Sequence, residues 1–228
     1  MNNNNFIILG KSNASVAMIN EILYENYHGN MEITIVKNME DTTELEYKVE
    51  GVNMKEYLDR DFEVFTPINT NYVIGAYRAA AKKAIYNYFE NKYSIQYRTH
   101  NFPSIISPNA FIASTVNMGS GCIISHKCVI DSYSKLGNFV TLNRCSSIGH
   151  HTYIDDFTSI NPNAHVAGNC KIGKNVQIGM GTNIIDGITI GDNSIIGANS
   201  FVNKNVPSNV LVYGTPAKVI KELADREV

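Results

Sequence analysis

From Ile106 every sixth residue is apolar. The series runs Ile106, Ile112, Met118, Ile124, Ile130, Leu136, Leu142, Ile148 and Ile154, then Ile160, Val166, Ile172, Ile178, Ile184, Ile190, Ile196 and Val202. All seventeen are Ile, Leu, Val or Met. Two positions before each stands a residue that is nearly always small or β-branched, among them Ala110, Cys122, Cys128, Ser134, Ser146, Thr152, Ala164 and Cys170. Glycine follows the large residue at 119, 137, 149, 173, 179, 191 and 197, where the chain has to turn. A large inward residue, a small inward residue and a corner in every six describe one face of a parallel β-helix. Three such faces close one coil, so residues eighteen apart stack about 4.8 Å apart in adjacent coils.

The first hundred residues follow other periods. Phe6–Gly10 is a short apolar run ending in glycine and reads as a buried strand. Val16, Ile19, Ile22 and Leu23 then recur at helical spacing within Ser15–Tyr27. Met31–Val36 alternates and reads as a second strand, and Asn71–Gly75 as a third. Arg78–Phe89 is rich in helix formers. Strands alternating with helices predict a small, Rossmann-like parallel α/β sheet. The division expected is residues 1–102 for this α/β domain, 103–212 for the β-helix and 213–228 for a closing tail or helix.

Composition narrows the partners. The 228 residues are 44% apolar and 18% charged, with a net charge of −2, which offers no electrostatic attraction to nucleic acid or an anionic membrane. No apolar run approaches the roughly 20 residues that span a bilayer. The start, MNNNNFIILGKSNAS, lacks the basic n-region and cleavage site of a signal peptide, so the expectation is a cytoplasmic protein without membrane insertion. Cys122, Cys128, Cys145 and Cys170 include no CxxC pair, and three of them fall in the small inward series. They read as packing residues rather than disulfides or metal ligands.

The repeats LGNFVT, IGKNVQ, IGMGTN, IGDNSI and IGANSF resemble the hexapeptide repeat of the left-handed β-helix acyltransferases. Behind a short α/β domain, and closed by VYGTPAKVI at residues 212–220, the chain is similar to a narrower group. That group contains the UDP-4-amino-sugar N-acetyltransferases and the sialic acid O-acetyltransferase relatives. The resemblance implies a left-handed β-helix, a homotrimer, and acetyl-CoA as co-substrate between subunits. It carries acetyl-CoA contacts to Gly168, Gly179, Pro216, Ala217 and Lys218. A face covered by a neighbour fits the outward apolar residues Val129, Phe139 and Phe157.

Candidate chemistry concentrates in CSSIGHHTYIDD, Cys145–Asp156. Ile148 points inward, which sets Gly149, His150 and His151 at a corner, and Gly168 lies eighteen residues on from His150. A proton-accepting side chain beside an amide unobstructed by a Cβ is what acyl transfer needs. The resemblance points to the same place: Asn143, Ile148 and His150 match a stretch whose histidine is catalytic. It makes His150 the general base, Gly168 the donor to the acetyl carbonyl and Asn143 a residue near the acceptor. His151 stands where the resembled family usually has a carboxylate. It reads either as an active-site partner or as a surface residue, with Asp155 and Asp156 as candidate substitutes. Two adjacent histidines are too few ligands for a metal. His165 is placed to line the cleft, His126 reads as a surface residue, and His28 and His100 carry no signal.

In the amino-terminal half, Gly10-Lys-Ser12 lacks the earlier glycine of a phosphate loop, since Asn5 stands there. The resemblance makes the turn after the first strand the nucleotide site, with Gly10, Lys11, Ser12 and Lys37 as candidate phosphate contacts. The function expected is acetyl-CoA-dependent N-acetylation of a nucleotide-linked amino sugar for surface glycan synthesis. Alternatives are O-acetylation of a sugar hydroxyl and a catalytically silent trimeric scaffold.

Overall fold

The computed structural model describes residues 4–38, 52–61, 70–96 and 100–224. A four-stranded parallel sheet opens the chain: β1 (Asn5–Leu9), β2 (Glu32–Lys37), β3 (Asn53–Leu58) and β4 (Asn71–Ile74), in the order β3-β2-β1-β4. Helix α1 (Asn13–Tyr27) follows β1 and helix α2 (Ala79–Tyr93) follows β4. β1 and β2, two of the expected strands, are the central pair, with β3 and β4 at the two edges. Strand β3 was not among the expected elements, because it is an edge strand with every second residue exposed and only Met54, Tyr57 and Leu58 as large apolar residues.

Seventeen two-residue strands follow, from Ile105–Ile106 to Phe201–Val202, in three parallel sheets whose partners are eighteen residues apart. This is the parallel β-helix that the period of six predicts, left-handed as the resemblance implies. The predicted inward series fills its axis, Ile124 to Val202 being buried, with Cys122, Cys128 and Cys170 among the small residues beside it. All four cysteines are free.

The three faces meet different surroundings. The first carries Ile105, Ile123, Thr141, Ser159, Gln177 and Ile195 outward and lies against the amino-terminal unit. The second carries Phe111, Val129, Ser147, His165, Asn183 and Phe201 outward. The third carries Asn117, Lys135, Tyr153, Lys171 and Thr189 and reads as solvated.

Helix α2 is fastened to the β-helix by one buried lysine amine. Lys82 Nζ donates to Phe139 O at 2.6 Å, Thr141 Oγ1 at 2.9 Å and Thr158 O at 3.1 Å. Around it Phe139 and Phe157 stack at 5.0 Å, and Tyr86 of α2 packs on both. Phe139 and Phe157 are therefore not part of a face left for a neighbour, as expected from sequence; α2 covers them. Of the three residues named for that role only Val129 stays exposed.

The closing segment is also corrected. Val210–Gly214 extends the first face in parallel, and Ala217–Glu222 returns antiparallel along it rather than as a helix. The return covers the open edge of the last strand, a row of unpaired backbone groups. Residues 225–228 of the expected tail lie outside the described segments. Among the described residues no helix is long and apolar enough to cross a membrane.

Candidate active site

Each edge of the β-helix is a column of corner residues. His150 and His151 stand on the edge between the second and third faces, with Gly168 and Asp186 in the next two coils. His151 adopts φ +56°, its ring stacks on Tyr133 at 4.9 Å, and its Nδ1 lies 3.2 Å from His150 Nδ1. That contact orients the His150 ring and turns its other nitrogen along the edge. A Cβ on Gly168 would lie 2.8 Å from His150 Nε2. The predicted pairing of imidazole and glycine is thus present, and only glycine leaves room for it. Among the described residues the Gly168 amide meets no hydrogen-bond acceptor, so it is open to a ligand.

Asp155 and Asp156 do not serve this histidine. They lie on the next edge, where Asp155 Oδ1 accepts the Asp156 amide at 2.8 Å and Asp156 Oδ1 takes Asn138 N at 2.6 Å. His165 lies on the second face, exposed, with Nδ1 2.8 Å from Ser147 Oγ. It shares a groove of about 580 Å³ with Asp131, Gly149, Ala167 and Asp186.

Asn143 and Gly179 stand on a different edge, between the first and second faces, one face-width from His150 in the same chain. Asn143 Oδ1 accepts the Arg144 amide at 2.8 Å. A Cβ on Gly179 would lie 2.5 Å from Ala198 N, so that glycine is required by coil packing. Pro216, Ala217 and Lys218 form the turn and return strand at the end of the first face, with Pro216 and Lys218 exposed.

A cavity of about 880 Å³ opens along this edge, walled on its other side by the amino-terminal unit. Its lining includes Asn143, Arg144, His126, Tyr77, Arg78 and Gln177. The strand order reverses between β1 and β4, and a crevice beyond the carboxyl ends of those strands is where open α/β sheets take ligands. Ala14 and Met18 of α1 and Ala80 and Ala81 of α2 bring the first turns of both helices to the cavity, ends that favour anions. Arg78 and Arg144 form no ion pair among the described residues.

The expected phosphate contacts are disposed differently. Lys11 and Lys37 converge on Glu56 of β3 at 3.2 and 3.3 Å, and the Lys11 side chain is 2% exposed. Their charge is met within the protein. Gly10 packs under Ile85 of α2, and Ser12 precedes α1 without capping it through its side chain. His126 is no plain surface residue: it pairs with Glu25 at 3.0 Å and lines the cavity. Arg144, Arg78 and Asp186 were missed. Asp186 was reachable by counting eighteen from Gly168, whereas Arg78 needs the docking of α2. Among the described residues no group of three or more His, Cys, Asp or Glu could hold a metal.

Comparison with known proteins agrees with this two-part architecture. Residues 151–186 and 169–204 match the family model described as bacterial transferase hexapeptide (six repeats). No curated protein matches the chain. The acetyltransferase domain of PglB from Neisseria gonorrhoeae, solved with acetyl coenzyme A, is similar with a TM-score of 0.80 and 21% identity, over 96% of this chain and 100% of that one. PerB from Caulobacter crescentus, solved with CoA and GDP-perosamine, is similar with a TM-score of 0.74 and 21% identity, over 95% and 97% of the two chains. WeeI from Acinetobacter baumannii gives 0.74 and 21% over 95% and 99%. The shared property is the fold, an α/β unit followed by a hexapeptide β-helix, and it extends over nearly the whole chain.

Proposed function

We propose that the protein transfers an acetyl group from acetyl-CoA to the amino group of a nucleotide-linked amino sugar, as a soluble cytoplasmic enzyme of surface glycan synthesis. The observation that carries this reading is the exposed imidazole of His150 beside the open amide of Gly168. His150 takes the proton as the acceptor nitrogen attacks the thioester carbonyl, and the Gly168 amide donates to the oxygen on which charge develops. Collapse of the tetrahedral intermediate breaks the C–S bond, and the thiolate takes the proton back. His151 holds the ring in register. Acetyl-CoA is a substrate here, and no covalent enzyme intermediate is required.

The acceptor is assigned to the large cavity, where Arg78, Arg144 and two helix ends suit a diphosphate. The likeness to PerB, solved with GDP-perosamine, supports that class. The cavity and His150 lie on different edges of one β-helix. A homotrimer joined through the second face, where Phe111 is 60% exposed and Val129 42%, brings one chain's cavity to another chain's His150. The resemblance places Gly179 and Pro216–Lys218 along acetyl-CoA at the same junction. Thiol release from acetyl-CoA, screened against nucleotide amino sugars and against free and hydroxyl-only sugars, tests the reading. Turnover with hydroxyl acceptors alone would establish O-acetylation instead, and no turnover with any acceptor would leave the scaffold.

A further inference from the structure

Asp186 occupies an unusual place on the His150 edge. On the edge between the third and first faces, a side-chain oxygen one coil on from a corner amide turns back onto it at three places. Asn138 Oδ1 takes Ser120 N at 3.0 Å, Asp156 Oδ1 takes Asn138 N at 2.6 Å, and Asp192 Oδ1 takes Lys174 N at 2.9 Å. Asp186 holds the equivalent position above Gly168 but is drawn aside by Asn169 Nδ2, 3.2 Å from Oδ1 and 3.5 Å from Oδ2. The displacement leaves the Gly168 amide open. It also leaves a carboxylate near the imidazole: a Cβ on Gly168 would lie 2.9 Å from Asp186 Oδ1 and 2.8 Å from His150 Nε2. The two groups therefore flank a position that carries no side chain, without forming a direct ion pair.

A base that takes a proton becomes a cation, and an anion close by lowers the free energy of that state. The imidazole of His151 has no anionic group to offer. The other ionisable groups around the site are Asp131 and His165 in the groove and Tyr133 behind His151. Asp131 Oδ1 accepts the Ser132 amide at 2.7 Å, and His165 is bound to Ser147. Asp186 is the carboxylate that approaches the His150 ring across the glycine.

We propose that Asp186 is a positioning residue for His150, supplying from two coils away the anionic partner that position 151 does not. This rests on the acetyl-transfer reading above. The proton passes from the acceptor nitrogen to His150 and on to the leaving thiolate, and the Asp186 carboxylate stabilises the imidazolium between those two transfers.

Asp186→Asn tests this because it removes the charge and keeps a side-chain oxygen that can accept from Asn169 Nδ2. The variant is expected to lose about 10-fold in kcat with the acetyl-CoA KM unchanged. Adding His151→Glu should recover most of that loss, whereas a merely structural role would not be rescued. A second readout needs no turnover. With the thiols blocked, alkylation of His150 by anionic iodoacetate and by neutral iodoacetamide is compared by mass spectrometry, with exposed His28 as internal reference. Asp186→Asn should raise the iodoacetate-to-iodoacetamide ratio several-fold at His150 and leave it unchanged at His28. An unchanged ratio, or unchanged kcat where the wild type turns over, overturns the proposal. If the wild type acetylates nothing, the acetyl-transfer reading fails while the alkylation ratio still decides the electrostatic role of Asp186.

Discussion

His150 and His151 face each other through their Nδ1 atoms, 3.2 Å apart, with ring planes at 83°. One of the two nitrogens must carry the hydrogen, so the contact ties the tautomer of one ring to that of the other. Replacing His150 by Ala is expected to lower kcat by about 10²–10⁴-fold with CoA binding retained. His151→Ala removes an orienting contact only and should cost no more than about 10-fold. Steady-state kinetics with a binding assay for CoA check both, and near wild-type turnover in His150→Ala would end the assignment.

Gly168→Ala probes the gap between coils. The added methyl would meet His150 Cε1 and Nε2 at 2.8 Å, so the ring has to leave its place. The expected result is at least about 100-fold loss of kcat with little change in thermal midpoint. Comparable loss of stability would mean that the glycine serves packing alone.

Arg78→Glu and Arg144→Glu separate the two substrates. Each reverses a charge in the large cavity, and each should raise the acceptor KM by about 10-fold or more while the acetyl-CoA KM holds. Lys11→Gln is the contrast: it breaks an ion pair with Glu56 and should show mainly as lower stability. A rise in acceptor KM for Lys11→Gln alone would return the phosphate site to the turn after β1.

Lys82 makes stability depend on pH. Burial pushes its ammonium down to about 7, with a smaller opposing contribution from the Cys122 thiol. An amine that loses its proton near 7 when folded and near 10.5 when unfolded leaves the unfolded chain binding more protons between those values. Its contribution to stability therefore rises with pH through that window, and the cost of the buried charge is present in full below it. Lys82→Met strands three acceptors and should be destabilising by ~2–4 kcal/mol. The gap between wild type and variant should widen from about pH 6 to about pH 9, read from urea midpoints. A gap independent of pH would show that Lys82 keeps its charge.

Phe111→Glu and Val129→Glu place charge on the second face and should dissociate the proposed homotrimer, seen as a fall in mass by light scattering from three chains to one. Activity should fall with it, since cavity and base then lie on separate molecules. A wild-type monomer at micromolar concentration would remove the shared site.

Much of this architecture is local and could be read from the chain. A hexapeptide coil repeats one geometry, so spacing alone assigns Ile148 to the inside, His150 to a corner and Gly168 to the place beside it. The same arithmetic reaches Asp186, because coil stacking converts sequence distance directly into spatial distance. The rest depended on contacts that no period encodes. Phe139 and Phe157 read as outward apolar residues until α2 covers them, and Lys82 finds its three acceptors only after the two units dock. Lys11 and Lys37 read as cations for a phosphate because Glu56 sits on β3, an edge strand too exposed to announce itself. Arg78 and Arg144, 66 residues apart in sequence, enter one cavity through that same docking. Repeat periodicity determines which residues share a coil; which charges remain open to a ligand is decided by partners brought together from distant parts of the chain.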